Sequence, residues 1–210
     1  MLRLTLAALL LGGAALAATL DPGATPGLSL LTDGLPGAAN EAAKIPQLDI
    51  KLAGTPLTLE KTTLAEVQKR LGGEINTTGE ESSFAWLCYA TPDATTGGTT
   101  LTWFYAVDAN ARLVSGLAQE FAPDELPPGC TKGEKVLGLT TGLPGLGAPL
   151  TGLDSVFGPA TADSGVPGTV AWMFGSTPQG NGFVARTEAK YIAGDTHILA
   201  YSLLRTVEEE

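Results

Sequence analysis

Few residues in this 210-residue chain have the type and spacing to carry catalytic or metal chemistry. The single histidine, His197, stands beside Ile198 and Leu199. A histidine acting as a general base needs a nucleophile, such as a Gly-x-Ser-x-Gly serine or a free cysteine, and no such partner accompanies it, so it reads as a structural strand residue. Zinc requires three or four His, Cys or carboxylate ligands at workable spacing, and no such set occurs. Asp108-Ala109-Asn110-Ala111-Arg112 opens like an acidic calcium loop but lacks the later oxygen ligands and the closing Glu, so it reads as a hairpin turn. The glycines of Leu143 to Gly147 form no phosphate-binding pattern with a following Lys. Glu80-Glu81 and Glu208-Glu209-Glu210 read as solvated charge runs. The sequence therefore predicts no catalytic residue, no metal and no cofactor. Two carboxylates facing each other across a cleft need no local motif, so that one arrangement stays open.

Cys88 and Cys130 are the entire thiol content. In an oxidising compartment an even pair reads as a disulfide, the other reading being two buried free thiols. Without a Cys-x-x-Cys spacing there is no support for redox catalysis.

The N-terminus points to such a compartment. Met1-Leu2-Arg3 is a short positive region, Leu4 to Leu16 is an apolar run, and Ala15-Leu16-Ala17 is a small-x-small cleavage pattern. Residues 1–17 thus read as a secretory signal peptide cleaved after Ala17, the other reading being an uncleaved anchor. No later segment approaches the length of a membrane span, so the mature chain is expected to be periplasmic or secreted with no integral span. The formal charge is −10, with 22 acidic against 12 basic residues. An acidic chain without a basic stripe is a poor partner for nucleic acid or anionic lipid.

Asp21-Pro22-Gly23, Thr25-Pro26-Gly27 and Leu35-Pro36-Gly37 make residues 18–46 a Pro/Gly/Ala-rich flexible or loosely docked leader. Leu48 to Leu52 alternates like a short strand. Thr63-Leu64-Ala65-Glu66 has the spacing of a capping box, Leu64, Val67 and Leu71 form one apolar stripe, and Gly72-Gly73 ends the helix. Three strand patterns follow, at Ser83–Ala90, Thr99–Val107 and Arg112–Phe121. A shift of 86 positions lays Leu64, Val67 and Leu71 on Leu150, Leu153 and Phe157, and Trp86 on Trp172. The second set of strand patterns is Thr169–Gly175, Phe183–Ile192 and Thr196–Leu204. This reads as an internal duplication. The expected fold class is α+β, with two tandem repeats, each a short helix packed on a three- to four-stranded antiparallel sheet. Repeat 1 spans residues 47–130 and repeat 2 spans 131–210.

The strand faces differ between the halves. Phe183, Ala185, Thr187, Ala189 and Tyr191 alternate with Val184, Arg186, Glu188 and Lys190, giving one dry and one wet face. In the first half Leu101, Trp103, Tyr105 and Val107 align with the dry face, which turns Phe104 outward, with Leu87 and Tyr89 opposing Trp86 and Cys88. Either the leader or the other half covers this face, or a partner does. The expectation carried forward is a partner-binding patch of Leu87, Tyr89 and Phe104.

Thr62-Thr63-x-x-Glu66-Val67 with Leu71-Gly72, followed by Val107-Asp108-x-Asn110-x-Arg112-Leu113-Val114, resembles the repeated module of the beta-lactamase inhibitor protein and of the SmpA-type outer-membrane assembly lipoproteins. The resemblance covers residues 55–121 and, less closely, 141–204. It implies helices set against an antiparallel sheet. The lipid-attachment cysteine of the assembly lipoproteins is missing, and neither family's partner carries over. These readings converge on an exported, non-enzymatic protein-binding module of the bacterial envelope or extracellular space, whose partner is another envelope or secreted protein. The alternatives are a structural envelope protein without a specific ligand and a carboxylate-dependent hydrolase.

Overall fold

Runs of aromatic and β-branched residues dominate the chain after residue 80, and such runs favour the half-buried pleat of a sheet. The computed structural model describes residues 39–78, 84–93, 97–107, 112–161 and 168–209. Its strands are β1 (Asn40–Glu41), β2 (Lys51–Leu52), β3 (Thr55–Pro56), β4 (Asn76–Thr78), β5 (Phe84–Pro92), β6 (Thr99–Ala106), β7 (Gly116–Phe121), β8 (Cys130–Lys132), β9 (Leu139–Thr140), β10 (Thr169–Gly180), β11 (Phe183–Ala193) and β12 (Ile198–Glu209). Two helices occur among the described residues, α1 (Leu64–Leu71) and α2 (Thr151–Phe157).

Nine strands form one mixed sheet in the order β1-β10-β11-β12-β7-β6-β5-β4, with β8 lying alongside β5. Most pairs are antiparallel, whereas β1 runs parallel to β10 and β8 parallel to β5. The two halves of the chain are fused where β7 pairs with β12, from Gly116 opposite Leu204 to Glu120 opposite Ala200. A small sheet, β3-β2-β9, stands apart. The expected fold of two tandem helix-plus-sheet repeats is therefore corrected: among the described residues the protein is mostly β, 49% strand and 10% helical, with one large mixed sheet. The pairing that overturns it joins residues about 80 positions apart, and local periodicity carries no record of such a contact.

The shift of 86 positions also fails in the strands. Trp172 lies in the large core cluster with Phe157, Tyr191 and Tyr201, whereas Trp86 belongs to a second cluster on the opposite face, with Trp103 and Tyr105. A displacement of one residue moves every strand side chain to the other face, so the tryptophan match does not mark equivalent core positions.

Helix α1 begins where its spacing predicts. The Glu66 amide donates to Thr63 Oγ1 at 3.1 Å and the Thr63 amide donates to Glu66 Oε2 at 2.8 Å, a reciprocal capping box. These bonds from Thr63 hold the Glu66 carboxyl below its ordinary pKa. Gly72, at φ +75°, then turns the chain out of the helix. Leu64 and Val67 are fully buried on the sheet, as are Leu153 and Phe157 of α2. Helix α2 has no side-chain cap.

The leader is not loose throughout. Asn40 is buried, its Nδ2 donates to the Ala171 carbonyl at 2.9 Å, and its Oδ1 accepts from the Thr161 amide at 2.6 Å. Strand β10 continues past the expected loop at Pro178-Gln179-Gly180, and the turn falls at Asn181-Gly182, with φ of 53° and 79°. Positive φ at both positions is what a two-residue hairpin turn of the Asn-Gly kind demands.

Candidate functional site

The residues expected to form a partner surface lie in the core. Leu87 is 1% exposed, Tyr89 2% and Phe104 0%. Leu87 sits opposite Phe104 across β5 and β6, and the Tyr89 ring meets Phe104 edge-on at 6.1 Å. The Tyr89 hydroxyl donates to the Gly72 carbonyl at 2.8 Å, and burial pushes its pKa up to about 12. The patch reading is thus corrected: these side chains face the helix-bearing side of the sheet, and Trp86, Cys88, Trp103 and Tyr105 face the other. That second face is also covered, with Phe84, Ala122, Leu126 and Cys130 packed against it. A strand buried on both faces is apolar at every position, so alternation cannot identify an outer side.

On the second face of β11 the expected wet side is only partly wet. Arg186 pairs with Glu41 at 3.3 Å near the surface, while Lys190 is buried and pairs with Glu188 at 3.2 Å.

Cys88 and Cys130 form the expected disulfide, with Cα atoms 4.5 Å apart where β8 pairs with β5. His197 is exposed just before β12, its Nδ1 2.6 Å from Thr196 Oγ1. Asp108 to Ala111 and Glu80-Glu81 lie outside the described residues. Among the described residues no group of three or more His, Cys, Asp or Glu side chains could hold a metal ion, and no helix is long and apolar enough to cross a membrane.

Two features on the helix-bearing face remain open to other molecules. The first is a cleft of about 340 Å³ between β5, β6, β7 and β12 and the strap of residues 136–146. Its floor is a chain of neutral groups: the Tyr201 hydroxyl donates to Gln119 Oε1 at 2.7 Å, and Gln119 Nε2 donates to Thr102 Oγ1 at 2.9 Å. Burial raises the Tyr201 pKa, opposed by a hydrogen bond from Thr141. At the rim Thr100 Oγ1 donates to Asp93 Oδ2 at 3.2 Å, and Asp93 is the one carboxylate among the described lining residues. This arrangement can orient an uncharged polar group by hydrogen bonds. Sequence reading missed it, although the threonines at the start of β6, Thr99, Thr100 and Thr102, ahead of its aromatic run were a visible signal.

The second feature is the free end of the β10–β12 ribbon. Strand β12 pairs with β7 only as far as Leu204, and the Arg205 amide makes the last bond on that side, to the Ser115 carbonyl at 2.8 Å. Pairing with β11 continues to Glu209. From Thr206 to Glu209 the outer edge of β12 has no strand partner among the described residues. Beside it Val207 is 56% exposed and Phe183 42% exposed. Val207 stands opposite Ala185 and Glu209 opposite Phe183, which makes Val207 and Phe183 diagonal neighbours on one face.

Comparison with known proteins finds no matching family model, no similar curated protein and no similar solved structure.

Proposed function

We propose that this chain is an exported, non-enzymatic protein-binding module of the bacterial envelope or the extracellular space, and that its partner docks by adding an extended strand to the open edge of β12. Export is supported by the signal-like residues 1–17, and the disulfide is compatible with an oxidising compartment. The observation that carries the docking site is the unpaired edge from Thr206 to Glu209, flanked by exposed Val207 and Phe183. A strand edge offers a row of free amides and carbonyls, and a neighbouring apolar pair gives an incoming strand something to bury. The chain as a whole is acidic, with 22 acidic against 12 basic residues, so the complementary segment carries Lys or Arg beside an apolar residue.

The test places a photo-crosslinking side chain at Phe183 or Val207 of the exported protein in its native envelope, with Val136, 54% exposed elsewhere, as the control. The expected result is one discrete protein adduct from both ribbon positions and none from Val136. The Val207 amide points the same way as that of Arg205, so Val207→Pro removes an outward donor and should abolish the adduct formed from Phe183. No adduct, or the same species from Val136, would overturn the proposal.

A further inference from the structure

Arg205 and Thr187 face each other across β12 and β11, and Arg205 Nη1 donates to Thr187 Oγ1 at 3.1 Å. Thr187 is buried, so its hydroxyl fixes one arm of a half-buried guanidinium. No carboxylate pairs with Arg205 among the described residues. Elsewhere the half-buried or buried cations have one: Lys51 pairs with Asp49, Arg186 with Glu41 and Lys190 with Glu188. Arg205 therefore differs from these three cations in having no ion pair among the described residues. The exposed Lys61 lines the same cleft.

The cleft measures about 310 Å³, and its remaining walls are Leu48, Ile50, Leu57, Thr58 and Leu59. Its lining combines the free N–H groups of the Arg205 guanidinium, and the exposed Lys61, with leucine and isoleucine side chains. A guanidinium fork matches a carboxylate through two parallel charge-assisted hydrogen bonds, and half-burial strengthens them relative to water. The volume stands at the lower end of small-ligand sites, enough for one short alkyl chain. A doubly charged phosphate would set its second charge against hydrocarbon walls, which disfavours it.

We infer that the Arg205 cleft binds a small aliphatic carboxylate, with the acid on the Arg205 guanidinium and the alkyl stem against Leu48, Ile50, Leu57 and Leu59. The inference stands apart from strand docking, because the cleft is lined by Leu48, Ile50, residues 57–59, Lys61, Thr187 and Arg205 and needs no contact with the outer edge of β12.

The experiment titrates octanoate into the oxidised mature protein and follows backbone amide shifts by NMR, with octanol and acetate each supplying half of the chemistry. Saturable shifts are expected for residues 48–61 and around Thr187 and Arg205, with octanol and acetate much weaker. Arg205→Gln should weaken octanoate about tenfold or more, and Arg205→Lys, which keeps the charge but loses the fork, should also weaken it. Should Arg205→Gln fail to fold, Thr187→Val, which frees the guanidinium from its tether, should still lower the affinity several-fold. Absence of saturable shifts, equal octanoate binding by the folded Arg205→Gln protein, or octanol binding as tightly as octanoate would each overturn the inference. Neither result bears on crosslinking at Phe183 and Val207, so the two proposals fail separately.

Discussion

Truncating Phe104 to alanine separates a core residue from a surface anchor. Phe104 is fully buried on β6, opposite Leu87 on β5 and Leu117 on β7, and makes a T-shaped pair with the Tyr89 ring, centroids 6.1 Å apart. Removing a buried phenyl ring loses its transfer free energy and leaves a cavity, together about 3–5 kcal/mol. The edge-on aromatic pair adds about 0.5–1.5 kcal/mol, part of which is already contained in that figure. A loss of about 4 kcal/mol is a large share of the roughly 5–15 kcal/mol that holds a domain folded. For a chain of this size it lowers Tm by about 8–16 °C. Denaturant unfolding of the oxidised protein, read by tryptophan fluorescence and by far-ultraviolet circular dichroism, measures the change. Val136→Ala on the surface is the reference and should stay within about 0.5 kcal/mol. If Phe104→Ala lost less than about 1 kcal/mol, the placement of Phe104 in the core would be refuted.

Two further outcomes are expected. Replacing Cys88 and Cys130 by serine opens a loop with a sequence separation of 42; the chain-entropy model puts the cost at about 4 kcal/mol, so the denaturation midpoint of the double variant should fall well below that of the oxidised protein, and an unchanged midpoint would show the crosslink to be idle. Burial raises the pKa of Tyr89 to about 12 from 10 and raises those of Tyr191 and Tyr201 as well. Each group favours the folded state in its neutral form, so this contribution is complete below pH 10 and is lost as the pH climbs through the raised values. Unfolding and tyrosinate absorbance should therefore appear together above pH 10; ionisation of all tyrosines near pH 10 in a protein that stays folded would contradict their burial.

Local chemistry was legible in the residues themselves. Thr63 and Glu66 start α1 because a hydroxyl and a carboxylate three positions apart reach each other's amides, and Gly72 stops it because the chain there needs a positive φ. The expected strands from residue 83 onward all form, with ends shifted by a few residues, because aromatic and β-branched runs between turn residues favour the pleat wherever they pack. Two cysteines behind an export-like N-terminus were enough to expect their bond.

What the tertiary structure alone decided is which side is inside and which parts meet. Period-two alternation states that two faces differ; when both are apolar, as on β5 and β6, it cannot say which one a helix covers, which is why alternation alone points Leu87, Tyr89 and Phe104 outward. One residue of slip in the alignment of Trp86 with Trp172 reverses every side chain of a strand, yet leaves the composition of the strand unchanged. Pairing of β7 with β12 rests on main-chain bonds that any residue can make, so no side chain announced the single sheet. The Tyr201–Gln119–Thr102 chain and the Arg205–Lys61 cleft join residues from distant parts of the sequence. Their chemistry exists only after the sheet has closed, because hydrogen-bond reach is about 3 Å and the intervening chain spans far more.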